Sequence, residues 1–153
     1  MRIAPNESGG YDVEVFEWQR QLLDNLIEPL RDLLLDGSSP VLRRLYPTAY
    51  PTDAEANSTY DELVHDQLLE QKLAALDTVE RSMHASSLTE DDLLQWMNAI
   101  NSMRLVLGTR LDVSEDDDPA AVADDDPDRA LWLSYELLSQ MLVVILAALE
   151  TGQ

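Results

Sequence analysis

Apolar residues recur at intervals of three and four along most of this chain, which is the spacing of one face of an α-helix. The first such run predicts a helix from about Phe16 to Asp36, with Gly37 as its stop signal. Pro29 lies within the run and has no N–H to donate to the preceding turn, so a kink is expected there. The apolar positions of this helix are Leu22, Leu23, Leu26, Ile27, Leu30, Leu33 and Leu34.

Capping residues divide the middle of the chain into further helices. Ser39, followed by a proline, predicts a short helix over 41–45. Thr52 begins a capping box with Glu55, which predicts a long amphipathic helix. A cap at Thr89 opens the next helix, whose apolar stripe carries a charge at its centre. That stripe consists of Leu93, Met97, Ile100, Arg104, Leu107 and Leu111.

An acidic segment separates this helix from the last one. Residues 112–127 include no basic residue, so we expect a solvated, mobile loop. Asp126, followed by a proline, is the predicted cap of the final helix. Residues 137–149 are apolar on nearly every face, so this helix, from about 128 to 150, is expected to be the most enclosed of the fold.

The pattern as a whole predicts an all-α protein. Residues 1–12 are expected to form an N-terminal arm, and the alternation over 11–15 favours a short strand with no visible partner. We expect a single domain over residues 1–153. After the N-terminal arm, the chain is predicted to form a helical bundle around a buried C-terminal helix.

Composition adds a strong charge to this picture. Hydrophobic residues make up 45% of the chain, enough for a packed core, and 30 acidic against 10 basic residues give a net charge of -20. Such a field repels phosphates and anionic lipid headgroups, so we expect neither direct nucleic-acid binding nor a membrane partner. The absence of cysteine excludes disulfides and thiolate metal sites within the chain.

The sequence predicts a cytoplasmic protein. The N-terminus lacks the charged region, apolar run and cleavage site of a signal peptide. Polar residues interrupt the long apolar stretch of the last helix, and the uninterrupted part, 141–149, is too short to span a bilayer.

No pattern of catalytic or metal-binding residues emerges. Glu62 and His65 have the Glu-x-x-His spacing of di-iron bundles, but Glu80 and His84 are four apart rather than three, so a solvent-facing pair is the alternative. The aspartate runs lack the glycine and the closing glutamate of a calcium loop. Neither histidine lies near a nucleophile elbow. We therefore expect no catalytic residue, no metal and no cofactor.

The arginine inside the apolar stripe is the strongest candidate for a functional role. A guanidinium at position 104 must be paired, so we expect it to be mostly buried and bonded to Asp53, Asp61 or Asp66, or to carbonyls of the turn over 46–51. It is either a structural clamp or part of a pocket for a carboxylate-bearing partner. The candidate cluster comprises Arg104, Asn101, Arg110, Trp96, Gly108, Tyr46, Tyr50 and Asp53.

The same segments carry a resemblance to a known family. Residues 43–50 and 96–111, which contain the pattern Asn-x-x-Arg-Leu-x-Leu-Gly-Thr-Arg-Leu beginning at Asn101, resemble the actinobacterial domain-of-unknown-function family that includes the actinomycete oxidative-stress regulator. Members of that family are often encoded beside the ClpS protease adaptor. One branch is described as a transcriptional regulator acting with a stress sigma factor. The resemblance implies a regulatory function, without a disulfide switch in this cysteine-free chain.

The leading hypothesis is a noncatalytic regulatory protein of a stress response. Its acidic surface suits a basic protein partner, for which the transcription apparatus is one source. The gene neighbourhood of the family suggests an alternative hypothesis, namely that the protein is an adaptor linked to regulated proteolysis. A small-molecule-binding protein or enzyme with a pocket around Arg104 is a second alternative, and a homodimer is also compatible with the sequence.

Overall fold

The computed structural model describes residues 1–46 and 54–152, and for residues 54–58 and 61 the backbone alone. It is 69% helical, which confirms the predicted all-α class. The described α-helices are α1 (Glu17–Asp36), α2 (Ala54–Ser82), α3 (Glu90–Arg110) and α4 (Arg129–Thr151). Two 3-10 helices, Pro40–Leu45 and Pro119–Ala121, lie between α1 and α2 and between α3 and α4.

A small antiparallel sheet occupies the N-terminus. It contains β1 (Arg2–Pro5), β2 (Tyr11–Glu14) and β3 (Ser87–Leu88), in the order β1-β2-β3. The expected arm is thus one side of a hairpin, and the strand expected near Tyr11 has partners on both edges. The pattern did not reveal these partners because β1 is mostly exposed and β3 has only two residues.

Most helix ends follow the local signals in the sequence. Gly37 adopts a left-handed conformation, φ 72°, and ends α1 as predicted. The side-chain oxygens of Ser39 and Thr89 accept hydrogen bonds from backbone N–H groups of the first turn that follows each of them, so both predicted caps are confirmed. Helix α1 continues through Pro29.

Two predicted helix starts have a different outcome. Helix α4 begins at Arg129 with Asp128 at its N-cap, so the cap predicted at Asp126 is wrong. The Asp126 carboxylate instead accepts the N–H of Asp128 within the turn before the helix. The predicted capping box cannot be compared with the structure, because Thr52 lies outside the described residues and the side chain of Glu55 is not described.

Helix α3 forms the centre of the fold. It packs against α2, α4 and the 3-10 helix Pro40–Leu45, and about half of its length is buried. The buried residues are Leu93, Trp96, Ala99, Ile100, Ser102, Met103, Val106, Leu107, Gly108 and Thr109. Neighbours on three sides therefore make α3, rather than the final helix, the most enclosed element.

The expectation that α4 is enclosed on all sides is wrong. Its inner face packs on α3 and β1 through Leu138, Met141, Ile145, Ala148 and Leu149. Its outer face stays open, and the exposed fractions of Leu133, Val143 and Leu146 are 58%, 66% and 47%. By length and composition α4 is the one described helix that could cross a membrane, with 17% of its most apolar window buried. Core helices of soluble proteins have the same length and composition.

Candidate binding cleft beside Arg104

Arg104 projects from the centre of α3 toward α4. Its Nε donates a hydrogen bond to the Ser139 hydroxyl at 2.7 Å. Its guanidinium carbon lies 4.9 Å from the centroid of the Tyr135 ring, within the range of a cation–π contact. The described contacts of this half-buried side chain are therefore with α4, and it forms no bond with Asp66, one of its predicted partners. Asp53 and the side chain of Asp61, the other two predicted carboxylates, lie outside the described part of the chain.

A second arginine reaches the same place from the 3-10 helix Pro40–Leu45. One terminal nitrogen of Arg44, Nη2, donates to the carbonyl of Val113 at 3.1 Å and so ties this helix to the start of the acidic loop. Arg44 belonged to the segments of the family resemblance, but the sequence did not mark it as part of a cluster.

Gly108 is the point on α3 where these side chains converge. A Cβ at this position would lie 3.1 Å from Cε2 of Tyr135 and 3.2 Å from Nη1 of Arg44. Both contacts are tighter than ordinary van der Waals distances. A glycine therefore lets the Tyr135 ring and the Arg44 guanidinium close over the helix backbone.

Arg44, Arg104, Tyr135 and Ser139 line an open cleft of about 530 Å³. Residues of the acidic loop between Val113 and Pro119 also contribute to its lining. Six other arginines of the described chain form salt bridges, namely Arg2, Arg20, Arg31, Arg43, Arg81 and Arg129. Neither Arg44 nor Arg104 has a carboxylate at salt-bridge distance among the described residues, although this chain carries 30 acidic side chains.

Three carboxylates also line this cleft, those of Glu115, Asp117 and Glu136. Asp117 accepts hydrogen bonds from the backbone N–H and the hydroxyl of Ser114, at 2.7 and 3.2 Å, and Glu136 accepts one from Gln140 at 3.2 Å. The cleft is thus lined by two cationic and three anionic side chains.

The structure separates the remaining members of the predicted cluster. Trp96 is buried and donates its indole N–H to the Ser82 hydroxyl at 2.8 Å, which is a contact within the core. Asn101 is exposed, and Arg110 borders a separate apolar groove between α1 and α3. Among the described members of the predicted cluster, Arg104 lines the cleft and Gly108 lies against two of its lining residues.

Tyr46 lies away from the cleft and packs on α2. Its ring centroid is 4.1 Å from that of His65. The hydroxyl is buried and has no hydrogen-bond partner among the described residues, and burial raises the pKa of Tyr46 above its ordinary value. Tyr50 and Asp53, the last members of the predicted cluster, lie outside the described residues.

Metal binding has no support in the described part of the chain. No group of three or more histidine and carboxylate side chains is arranged there to hold an ion. His65, one half of the Glu-x-x-His pair, packs against Tyr46 instead. Three residues of the cleft were not predicted from the sequence, namely Arg44, Tyr135 and Ser139.

Tyr135 and Ser139 lie one turn apart on α4, and this spacing of two polar side chains on one helix face could have indicated a contact with Arg104.

A second depression adjoins the cleft where the acidic loop meets α4. It has a volume of about 190 Å³ and is lined by Pro119, Ala120, Val122, Arg129, Trp132, Leu133 and Glu136. Pro119 and Glu136 line both hollows. The arginine cleft is therefore continuous with the loop and with the exposed apolar face of α4.

Comparison with known proteins finds a family relationship. A family model described as a domain of unknown function, DUF2017, matches residues 1–149. No curated protein and no solved structure matches the chain.

Proposed function

The chain belongs to the domain-of-unknown-function family DUF2017, and we propose that this member is a noncatalytic regulatory protein that acts by binding a basic protein partner. The observation that carries the proposal is an open apolar helix face beside an acidic loop. The resemblance in the sequence suggests the transcription apparatus of a stress response as the source of that partner.

The apolar part of this surface is the outer face of α4. Leu133, Val143 and Leu146 are the exposed large hydrophobic side chains of the helix, and residues 137–149 contain no charge. Burying such side chains against a partner stabilises a complex by roughly 1.5–3 kcal/mol each when burial is complete. An exposed apolar strip bordered by charged residues is typical of an interaction site.

The charged part of the surface determines which partner fits. Among the acidic residues from Glu115 to Asp128, Asp124 alone forms a salt bridge in the structure, with Arg129. The others repel anionic lipids, and two copies of a chain with a net charge of -20 repel one another. A protein with apolar residues surrounded by lysine or arginine suits both parts of the surface.

An amphipathic peptide with a leucine face and lysine flanks tests this proposal. Binding of the labelled peptide to the full chain should weaken from about 0.05 to 0.3 M NaCl, because salt screens the attraction between lysine and carboxylate. The double variant Leu133→Gln/Val143→Gln should bind about tenfold or more weakly, with the free energy of unfolding unchanged.

Leu35→Gln is the matched control, since this leucine is 62% exposed on α1. It should bind the peptide like the unmodified chain. Equal binding of the peptide by the double variant would refute the proposal. Concentration-dependent dimerisation that the double variant abolishes would assign the face to a second copy, and binding to anionic vesicles would assign it to a membrane.

A further inference from the structure

We propose that the cleft formed by Arg44 and Arg104 binds a carboxylate carried by the basic partner. The inference rests on the proposed function and adds to it the group that the partner presents. Its starting point is the presence of two arginines that line one cleft with no carboxylate of the described chain at salt-bridge distance from either.

Both guanidinium groups retain hydrogen-bond donors for a ligand. A guanidinium has five N–H donors. Arg104 uses Nε toward Ser139, and Arg44 uses Nη2 toward the carbonyl of Val113. Both terminal nitrogens of Arg104 and Nη1 of Arg44 therefore have no described acceptor, and such nitrogens match the two oxygens of a carboxylate.

The surroundings hold the two side chains in position before a ligand arrives. The Tyr135 ring lies against the Arg104 guanidinium, and Ser139 fixes its Nε. Gly108 leaves room for Arg44 to lie close to the same ring. Side chains that are already ordered lose less conformational entropy on binding.

The charge distribution favours a carboxylate over a phosphate. Glu115, Asp117 and Glu136 line the same cleft, and the whole chain repels anions. A phosphate, with more negative charge, meets a larger repulsion than a carboxylate does. When a carboxylate is carried by a positively charged molecule, the carboxylate is attracted by the two arginines and the positive charges of the same molecule are attracted by the acidic lining residues.

The position of the cleft links this ligand to the partner. Pro119 and Glu136 also line the depression between the acidic loop and α4, where the partner is proposed to dock. A polypeptide segment in that depression can extend into the arginine cleft. Its carboxylate comes either from the chain terminus or from an acidic side chain.

Two forms of one oligolysine peptide separate carboxylate recognition from general attraction. The C-terminally amidated form has one more net positive charge than the free acid, so nonspecific attraction makes it the tighter ligand. If the cleft binds a carboxylate, the free acid binds more tightly instead, by about tenfold near 0.1 M NaCl. An amidated peptide with one internal glutamate tests the side-chain source in the same assay.

Variants of the full chain locate the effect. Arg44→Gln and Arg104→Gln should each abolish the preference for the carboxylate, while Arg110→Gln, in the groove between α1 and α3, should keep it. Circular dichroism establishes that each variant is folded. If neither carboxylate-bearing peptide binds more tightly than the plain amidated form, the cleft proposal is refuted while the basic-partner proposal stands.

Sodium acetate and sodium phosphate test the cleft without any peptide. Acetate should shift the Nε–H resonances of Arg44 and Arg104 in NMR spectra of the full chain, and leave that of Arg110 in place. Absence of these shifts contradicts the inference. Tighter binding of inorganic phosphate than of acetate at equal ionic strength also contradicts it. If all oligolysine peptides fail to bind while the acetate shifts are present, the anion site stands and its link to a basic partner is refuted; the proposed function itself is refuted when the amphipathic leucine-lysine peptide also fails to bind.

Discussion

At the scale of single residues, Trp96 and Arg104 occupy the same helix but have opposite surroundings. Trp96 is 1% exposed and its indole N–H is bonded inside the core. Arg104 extends to the cleft, where its bond to Ser139 and its contact with Tyr135 leave other donors available. Trp96 is therefore a core residue, whereas Arg104 belongs to the proposed binding cleft, although both were members of one predicted cluster.

Trp96→Phe is expected to destabilise the protein by about 2 kcal/mol, because it removes a buried hydrogen bond and leaves a cavity beside Ser82. The Ser82 hydroxyl keeps its own bond to the Thr78 carbonyl, at 2.6 Å, so no donor is stranded. Urea denaturation followed by circular dichroism measures the change. Trp18→Phe, at a position that is 45% exposed, should stay within about 0.5 kcal/mol of the unmodified protein. Equal effects at the two positions would contradict this assignment.

At the scale of helices and strands, the helix ends could be predicted from local residues, but the packing of one helix against another could not. Gly37 and Thr89 act within one turn of their own helices, so the sequence alone located these helix ends. The enclosure of α4 depends on how many elements pack around it, which its own apolar pattern does not specify. The same limit applies to the candidate cleft. The sequence showed that Arg104 lies on the apolar stripe of α3, but it did not predict the hydrogen bond to Ser139 on another helix.

Pro29→Ala should stabilise α1 by about 1–2 kcal/mol. Alanine restores an N–H that can bond to the carbonyl of Asn25 one turn earlier, whereas proline has none. The gain is reduced because alanine makes the unfolded chain more flexible. Pro29 is exposed, so little packing changes. The midpoint of urea denaturation should rise, and Gln21→Ala, at an exposed position of the same helix, controls for helix propensity. A lower midpoint for Pro29→Ala would show that the proline is favourable where it lies.

At the scale of the whole molecule, negative charge is spread over the surface while few cations balance it. Six arginines form salt bridges in the described structure, against 30 acidic residues in the chain. Most carboxylates therefore contribute repulsion to the folded state. The outer face of α4 is exceptional because residues 137–149 are uncharged, which makes it the place where another protein approaches at the lowest electrostatic cost.

Sodium chloride should raise the stability of the isolated protein. Screening weakens both the repulsion and the salt bridges, but the surplus of carboxylates makes the loss of repulsion the larger effect. We expect about 1 kcal/mol between low and moderate salt, or about 2–4 °C in Tm for a chain of this size, measured by calorimetry. Replacing exposed Asp116 and Asp125 by asparagine should reduce this dependence. A Tm that falls with salt would mean that the salt bridges dominate.

The contact between β1 and α4 has a consequence for synthesis on the ribosome. The N-terminal hairpin packs on α4, and a Cβ at Gly152 would collide with the Tyr11 hydroxyl, so the earliest and latest described segments are neighbours. At about 5–20 residues per second, α4 follows β1 out of the ribosome after roughly 6–30 seconds. A hairpin is marginally stable by itself. The hairpin of the nascent chain therefore reaches its packed state only after α4 has been synthesised, because α4 provides the surface on which β1 packs.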